Sequence, residues 1–400
     1  MSELKRIPII VFTGAGASRA DPIKLPTMSE FFDAIMDDKR IPTSERITNK
    51  EYFTFIMDTI YKQKTDYDLE RVMGALYQMT TFIESDNWEL FLHPSIFDNI
   101  FYAINSRVEI YKNQKNFGSY YTKEAIRSSA ISTWNERKKD APILVLELED
   151  LIREKYEIIP FPNIQAVYAP FFELLVKMNR ATNNAPIIPF FTTNYDMSVD
   201  WFFYPRDRND RQEQLKWRAE HNLHFVDGFD NQEWDAQNFN MIDETENTTN
   251  ILFVPYHKLH GSLYWEDVEG TVRRNFNIAK DVHLRQKLMI VYPSDKGILS
   301  RDPYHYSHRV LESYLSRADN LLVVGFSFRD PAIVQTFQDA LRYNPGLKIH
   351  IILPDKHIGL PEDAVNFIRM NNNRVTHINQ RFGTDDCLRA IDSVMLGGSA

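Results

Sequence analysis

The chain has 400 residues, of which 43% are hydrophobic and 25% are charged, and its formal net charge is −9. These values are typical of a globular protein with one large domain or two ordinary ones. The negative charge argues against a free-standing nucleic-acid binder, which usually needs a basic face. The single cysteine, Cys387, excludes disulfides within the chain and any cysteine-rich zinc site.

No apolar run has the length of a signal-peptide core or a membrane span. We therefore expect a cytoplasmic protein that does not contact the membrane.

Short apolar runs predict buried strands, and helical patterns lie between several of them. The predicted strands cover residues 7–12, 187–191, 251–255, 288–292, 321–326 and 349–353. The predicted helices cover residues 164–178, 307–317, 332–343 and 362–370. A further helix is predicted to begin at Thr27, which has capping-box spacing to Glu30. This alternation predicts an α/β fold, with a doubly wound, Rossmann-like parallel sheet and helices on both faces.

Two segments interrupt this alternation. The first, at about residues 49–156, has helical patterns without a clear strand, which indicates an inserted helical module. The second, at about residues 206–250, is polar but too rich in aromatic side chains for a disordered linker, so we predict an ordered polar excursion.

The segment Gly14-Ala15-Gly16-Ala17-Ser18 directly follows the first predicted strand. Small residues let a backbone approach a pyrophosphate closely, and backbone N–H groups can supply donors to it. The segment is not the dehydrogenase pattern GxGxxG, because Arg19 stands where the third glycine would be. A tight strand-to-helix turn without a ligand is the alternative interpretation.

The segment Thr192-Thr193-Asn194-Tyr195-Asp196 follows the second predicted strand, at the end where ligands bind in open α/β sheets. The amide of Asn194 offers a donor and an acceptor, which could hold a ribose hydroxyl and orient an attacking water. Asp196 could accept from a hydroxyl or fix the loop. An Asx-type turn that merely ends the strand is the alternative.

His260 lies in Lys258-Leu259-His260-Gly261-Ser262, just past the third predicted strand. Imidazole is suited to accepting a proton near neutral pH, and Gly261 leaves room for a close approach. A lone histidine is more often structural, and the neighbouring His257 is assigned no chemistry.

Val324-Gly325-Phe326-Ser327 ends the most apolar predicted strand. A glycine and a hydroxyl at this position suit contact with a ribose and an adenine. In the following residues, Asp330 and Pro331 have the pattern of a helix N-cap and first helical position, which explains both without a ligand.

These four segments, in this order, resemble the sirtuin family, and more closely its bacterial branch of NAD-consuming anti-phage defence proteins. The resemblance implies that NAD is bound as a substrate, that Asn194 and His260 are the catalytic residues, and that no metal is needed. It also implies that the cofactor contacts come from the four segments and a loop at Pro26. The implied binding residues are Gly14, Ala15, Gly16, Ala17, Ser18, Pro26, Thr193, Asp196, Gly261, Ser262, Gly325, Phe326 and Ser327.

Three departures from deacetylating sirtuins favour NAD hydrolysis over deacylation. Their four-cysteine zinc ribbon is excluded here, Thr193 replaces a glutamine, and Lys24-Leu25-Pro26-Thr27 replaces a Phe-Arg pair. The resemblance also implies a homo-oligomer that docks on a HerA-type hexameric ATPase, with nucleic acid contacted only through that partner. The alternatives are an NAD- or ADP-ribose-binding module without turnover, an ADP-ribosyl transferase or deacylase, and, last, a nuclease subunit.

Overall fold

The structure is a computed structural model that describes eleven segments of the chain. These are residues 5–27, 30–31, 72–74, 141–157, 159–181, 186–230, 232–245, 250–276, 288–291, 301–354 and 360–396. Most of the predicted helical module, residues 49–71 and 75–140, lies outside the described residues. So does Tyr292, the last residue of a predicted strand.

The strands fall into one parallel and one antiparallel sheet. In chain order they are β1 Ile7–Thr13, β2 Phe190–Thr192, β3 Leu223–Val226, β4 Phe229–Asp230, β5 Glu233–Trp234, β6 Leu252–Lys258, β7 Gly261–Val268, β8 Thr271–Arg274, β9 Leu288–Ile290, β10 Ala318–Val324, β11 Lys348–Ile352 and β12 Val375–Ile378.

The described α-helices include all four that the sequence predicts after residue 160. In chain order, the described α-helices are α1 Ala15–Ser18, α2 Ala141–Glu157, α3 Phe161–Arg180, α4 Ser198–Phe203, α5 Arg208–Glu220, α6 Asn240–Thr245, α7 Tyr304–Leu315, α8 Pro331–Tyr343, α9 Glu362–Met370 and α10 Asp385–Leu396. One hydrogen bond of the predicted capping box is present, since the Thr27 amide donates to Glu30 Oε2 at 3.0 Å. Beyond residue 31, the helix that was predicted to begin at Thr27 lies outside the described residues.

Seven strands form a parallel sheet in the order β12-β11-β10-β1-β2-β6-β3. After β1 the chain fills one side of the sheet with β2, β3 and β6, and then returns to the other side with β10, β11 and β12. The strand order therefore reverses between β1 and β10. Ligands of open α/β sheets bind at such a switch point, outside the carboxyl ends of the strands.

Both faces of this sheet are covered by helices, which confirms the predicted α/β class. Side chains alternate along β1, so that Ile9 and Val11 enter one core while Ile10 and Phe12 enter the other. The first core includes side chains of α3, α4 and α10, and the second includes side chains of α7, α8 and α9. Because β1 is buried on both faces, it reads as a continuous apolar run.

The predicted strand at residues 288–292 has a different place from the one expected. Its described part, β9, pairs antiparallel with β7 in a second sheet of order β4-β5-β8-β7-β9. An apolar run predicts a buried strand but does not specify its partner, and this is why the parallel placement was wrong.

The polar stretch at residues 206–250 supplies part of the main sheet. It contains α5 and the edge strand β3, which pairs in parallel with β6. Among the helices that the structure describes, none is long and apolar enough to cross a membrane.

Candidate functional site

One row of paired residues crosses the centre of the parallel sheet. Val324 pairs with Thr13, Thr13 with Thr192, and Thr192 with Lys258. The distinctive residues of the four sequence motifs begin directly after this row, on four neighbouring strands. The structure therefore brings the motifs together at one carboxyl edge, and Asn194 and His260 occupy equivalent places two residues beyond the row.

The glycines at the switch point let two loops touch. The Gly14 amide donates to Val324 O and the Gly16 amide to Gly325 O, both at 2.9 Å. A Cβ on Gly16 would lie 2.8 Å from Gly325 Cα, and Gly325 itself has φ +62°. The contact between the loops thus explains these glycines. Because the amides of Gly14 and Gly16 are used within the protein, the loop offers a ligand fewer backbone donors than its sequence suggests.

The amide of Asn194 is fixed by two hydrogen bonds. Its Nδ2 donates to Gly14 O and to Ser18 Oγ, each at 3.0 Å. A carbonyl oxygen can only accept, so the nitrogen must face Gly14. The other amide atom, Oδ1, has no protein partner in the described part of the chain. Since Asn194 is partly exposed, Oδ1 is available to accept from a ribose hydroxyl or a water.

The carboxylate of Asp196 holds Ser18, and through it the amide of Asn194. Its Oδ2 accepts from Ser18 Oγ at 2.7 Å, and its Oδ1 accepts from the Ser198 amide at 2.9 Å. A carboxylate at this position requires the Ser18 hydroxyl to donate to it, which leaves the Ser18 oxygen to accept from Asn194. Asp196 is buried, so its carboxylate positions Ser18 and Asn194 and does not face the edge.

A buried lysine supports the same loop. Lys258 Nζ donates to the Asp196 carbonyl oxygen and to Asp200 Oδ2, the latter at 2.9 Å. The Tyr256 hydroxyl donates to the same Asp200 oxygen at 3.0 Å. Lys258 belongs to a predicted motif but had no predicted role. Its side chain is fully buried, so it fixes the loop that carries Asn194 and does not face the edge.

His260 is oriented by a carboxylate from a distant part of the chain. Its Nε2 lies 3.0 Å from Asp330 Oδ2, and the two side chains are 15% and 25% exposed. A carboxylate accepts only, so hydrogen bonding assigns the imidazole hydrogen to Nε2. In the neutral ring, Nδ1 is then the basic nitrogen. No group in the described residues bonds to Nδ1, which is available to accept a proton.

Asp330 uses its two oxygens for two purposes. Oδ1 caps α8 by accepting from the amides of Ala332 and Ile333, as the sequence predicts. Oδ2 pairs with His260, a function that the sequence interpretation missed. Burial raises the pKa of this carboxyl, but the hydrogen bonds and charge of His260 and the two amides outweigh burial, and the pKa lies below its usual value. An N-cap uses one carboxylate oxygen, so the second oxygen was a signal for a further partner.

Unlike His260, His257 is enclosed by aromatic rings. It is buried and stacks between Phe191 and Phe239, with ring centroids 4.9 and 4.7 Å away. Burial lowers its pKa to about 3. A neutral, enclosed imidazole is a structural residue, as expected from the sequence.

The remaining predicted residues divide by exposure. Those at least partly exposed at the edge are Ala15, Gly16, Thr193, Gly325 and Ser327. Those that are buried are Gly14, Ala17, Ser18, Pro26, Gly261, Ser262 and Phe326.

Several buried members already have protein partners. The Phe326 ring packs against Phe12 in the core, the Ser262 hydroxyl donates to Met197 Sδ, and Pro26 O accepts from Tyr156. Gly261, with φ +83°, lies against the Met289 carbonyl. These residues shape the edge, while the exposed set is placed to touch a ligand.

This geometry can be compared with known proteins. Residues 189–375 match the sequence model of the SIR2-like domain. The match includes Asn194, His260, Gly325 and Asp330 but not the glycine-rich segment, and it supports a sirtuin-like family. SIR2-like domains are NAD-utilising enzymes, and the accessible amide and imidazole fit such a substrate. No curated protein matches the chain.

The described residues contain no group of three or more His, Cys, Asp or Glu side chains that could hold a metal ion.

The double function of Asp330 predicts a pH-dependent stability difference. Asn is as good an N-cap as Asp, so Asp330→Asn keeps the cap and removes the charge facing His260. Because the folded pKa of Asp330 is lowered, its carboxylate stabilises the fold above the unfolded value of about 3.9, and this contribution is lost as pH falls further. We expect the difference in unfolding free energy between wild type and variant to narrow below about pH 4. Urea titrations from pH 7 to pH 3 measure it.

Asp210 supplies a control, for which the stability difference between wild type and variant should change with pH in the opposite direction. Burial, Asp207 and Glu213 raise its pKa. As the pH falls, the wild type should therefore gain stability relative to Asp210→Asn. An Asp330→Asn difference that stays constant down to pH 3 would contradict the assigned pairing.

Proposed function

We propose that the chain is an NAD glycohydrolase, which cleaves NAD to nicotinamide and ADP-ribose. The observation that supports this most is that two side chains at one sheet edge are held in fixed orientations by hydrogen bonds. Asn194 presents an amide oxygen whose nitrogen is held by Gly14 and Ser18, and His260 presents Nδ1 with its other nitrogen held by Asp330. Both are two residues beyond the paired residues Thr192 and Lys258.

In this proposal Asn194 positions the reactants. Its Oδ1 accepts a hydrogen bond from the attacking water or from a hydroxyl of the nicotinamide ribose. The two hydrogen bonds to Nδ2 prevent the amide from turning, so the acceptor direction is set before the substrate arrives. Such positioning reduces the entropy that must be lost on reaching the transition state.

His260 acts as the general base. The bond between the ribose carbon and the nicotinamide nitrogen breaks, and its electron pair leaves with nicotinamide. The water oxygen bonds to that carbon, and the water proton passes to His260 Nδ1, directly or through a ribose hydroxyl. The imidazolium that forms is stabilised by the Asp330 carboxylate, 3.0 Å from Nε2. General base catalysis of this kind is typically worth about 10²- to 10⁴-fold in rate.

The same site predicts the effect of three substitutions. His260→Ala, Asn194→Ala and Asn194→Asp should each lower nicotinamide release by about 10²-fold or more, while the protein stays folded. Asn194→Asp is the sharpest of these variants. It keeps the size of the side chain but replaces both donors with an acceptor that faces Gly14 O and Ser18. Nicotinamide released from NAD by the purified variants is the measurement, with circular dichroism to check folding.

His305→Ala is the matched control, because His305 is an exposed histidine of α7 outside the site. It should keep the wild-type rate. Normal NAD loss in His260→Ala or Asn194→Ala would disprove the catalytic assignment. Transfer of ADP-ribose to a protein, or loss of an acyl group from a peptide, would instead support the transferase or deacylase. Binding of NAD without turnover would support the binding module.

We also propose a biological setting, which rests on the family resemblance. The chain would deplete NAD in antiviral defence as a homo-oligomer docked on a HerA-type hexameric ATPase. The net charge of −9 fits a subunit that meets nucleic acid only through its partner.

Sedimentation velocity tests the assembly. We expect the purified chain to sediment as an oligomer, and to form a larger species when a HerA-type ATPase is added. Monomers both with and without the ATPase would contradict the proposal.

A further inference from the structure

A second group of polar and aromatic side chains lies beside β3, at the outer edge of the parallel sheet. Tyr204 follows α4 and packs edge-on against Phe225 of β3, with ring centroids 5.5 Å apart. The guanidinium groups of Arg218 and Arg274 lie 5.3 and 5.9 Å from the centroid of the Tyr204 ring. We name these three residues, Tyr204, Arg218 and Arg274, the arginine–tyrosine cluster.

Arg218 is a buried cation for which the described residues supply no counterion. It is 9% exposed, and its Nε has no hydrogen-bond partner in the part of the chain that the structure describes. Within the described residues, Arg218 forms no ion pair with a carboxylate. A buried charge that is left unpaired destabilises a fold, because its lost hydration is not replaced. Arg218 therefore has no negative partner among the described residues, and its guanidinium lies against the Tyr204 ring instead.

The charges around Tyr204 do not balance. Arg274 is paired with Asp227, the residue that follows β3. The charged groups that act on the Tyr204 phenol are Asp227, Arg218 and Arg274. Among the residues that the structure describes, one carboxylate against two guanidinium groups leaves one net positive charge beside Tyr204.

Gln214 provides an independent indication of an incomplete site. It lies four residues before Arg218 on α5, so the two side chains share one face of the helix. Gln214 is 0% exposed, and among the described residues neither its Oε1 nor its Nε2 has a hydrogen-bond partner. Buried polar groups are nearly always satisfied, and exceptions concentrate at functional sites.

The cluster also presents aromatic surface. Tyr204 and Phe276 are 40% and 44% exposed. The Arg274 guanidinium lies 5.6 Å from the Phe276 ring centroid as well as near Tyr204. Arginine forks bind phosphate oxygens, and exposed aromatic rings stack on nucleobases.

We propose that the arginine–tyrosine cluster binds a mononucleotide, with its phosphate against Arg218 and Arg274 and its base against Tyr204. A single net positive charge suits one phosphate group. A nucleic-acid strand would instead need several cations along its path. The proposal does not depend on NAD cleavage, because it concerns binding beside β3 and assigns no reaction.

Calorimetric titration with AMP, inorganic phosphate and adenosine tests the proposal. We expect the wild type to bind AMP most tightly, since AMP alone offers both phosphate and base. Arg218→Met should weaken AMP binding about 10-fold or more, and Tyr204→Leu should weaken AMP but not phosphate. Lys216→Gln is the control, because it removes one positive charge from another face of the same helix and should leave AMP affinity unchanged.

Stability without nucleotide separates a binding role from a structural one. Arg218→Met removes an unpaired buried charge, so its unfolding midpoint in urea should equal or exceed that of the wild type. Four results would overturn the proposal: no AMP binding by the wild type, equal AMP binding by Arg218→Met, equal weakening by Lys216→Gln, or tighter binding of a short single-stranded oligonucleotide than of AMP.

Discussion

The candidate catalytic groups depend on one parallel register, in which Val324, Thr13, Thr192 and Lys258 form a row across four strands. A slip of one residue in any strand would turn its side chains to the opposite face. Two apolar cores, one on each face, therefore maintain the register. The register of the row sets where each following loop begins, and this is how residues from distant parts of the chain meet.

Next to the row, buried polar side chains are positioned by hydrogen bonds and ion pairs with one another, and not by packing alone. Lys258 and Asp200 form a buried ion pair, and Lys258 also holds the loop of Asp196. Removing one partner of a buried pair costs about 3–5 kcal/mol, since the other charge is left uncompensated. Such a network gives little net stability but fixes geometry, which is what an amide and an imidazole in a reactive site require.

The sequence predicted the parallel sheet, its covering helices and the four motifs, because a buried strand and the loop after it have local signals. Residues 7–12 show this, since their apolar run ends at Gly14. The pairing of His260 with Asp330 had no such signal, since it depends on how loops after separate strands converge. For the same reason β9 was placed in the wrong sheet, and β3 was hidden in a polar stretch where few apolar residues mark it.

In the proposed mechanism, Asp330 acts through His260 in the release of nicotinamide. The most direct test compares nicotinamide release from NAD by the wild type, Asp330→Asn, His260→Gln and the double variant. Residues that act as a unit are not additive, so Asp330→Asn should lower the rate in the wild type but change it little in His260→Gln. A wild-type rate in Asp330→Asn, or reductions that multiply in the double variant, would show that Asp330 does not act through His260.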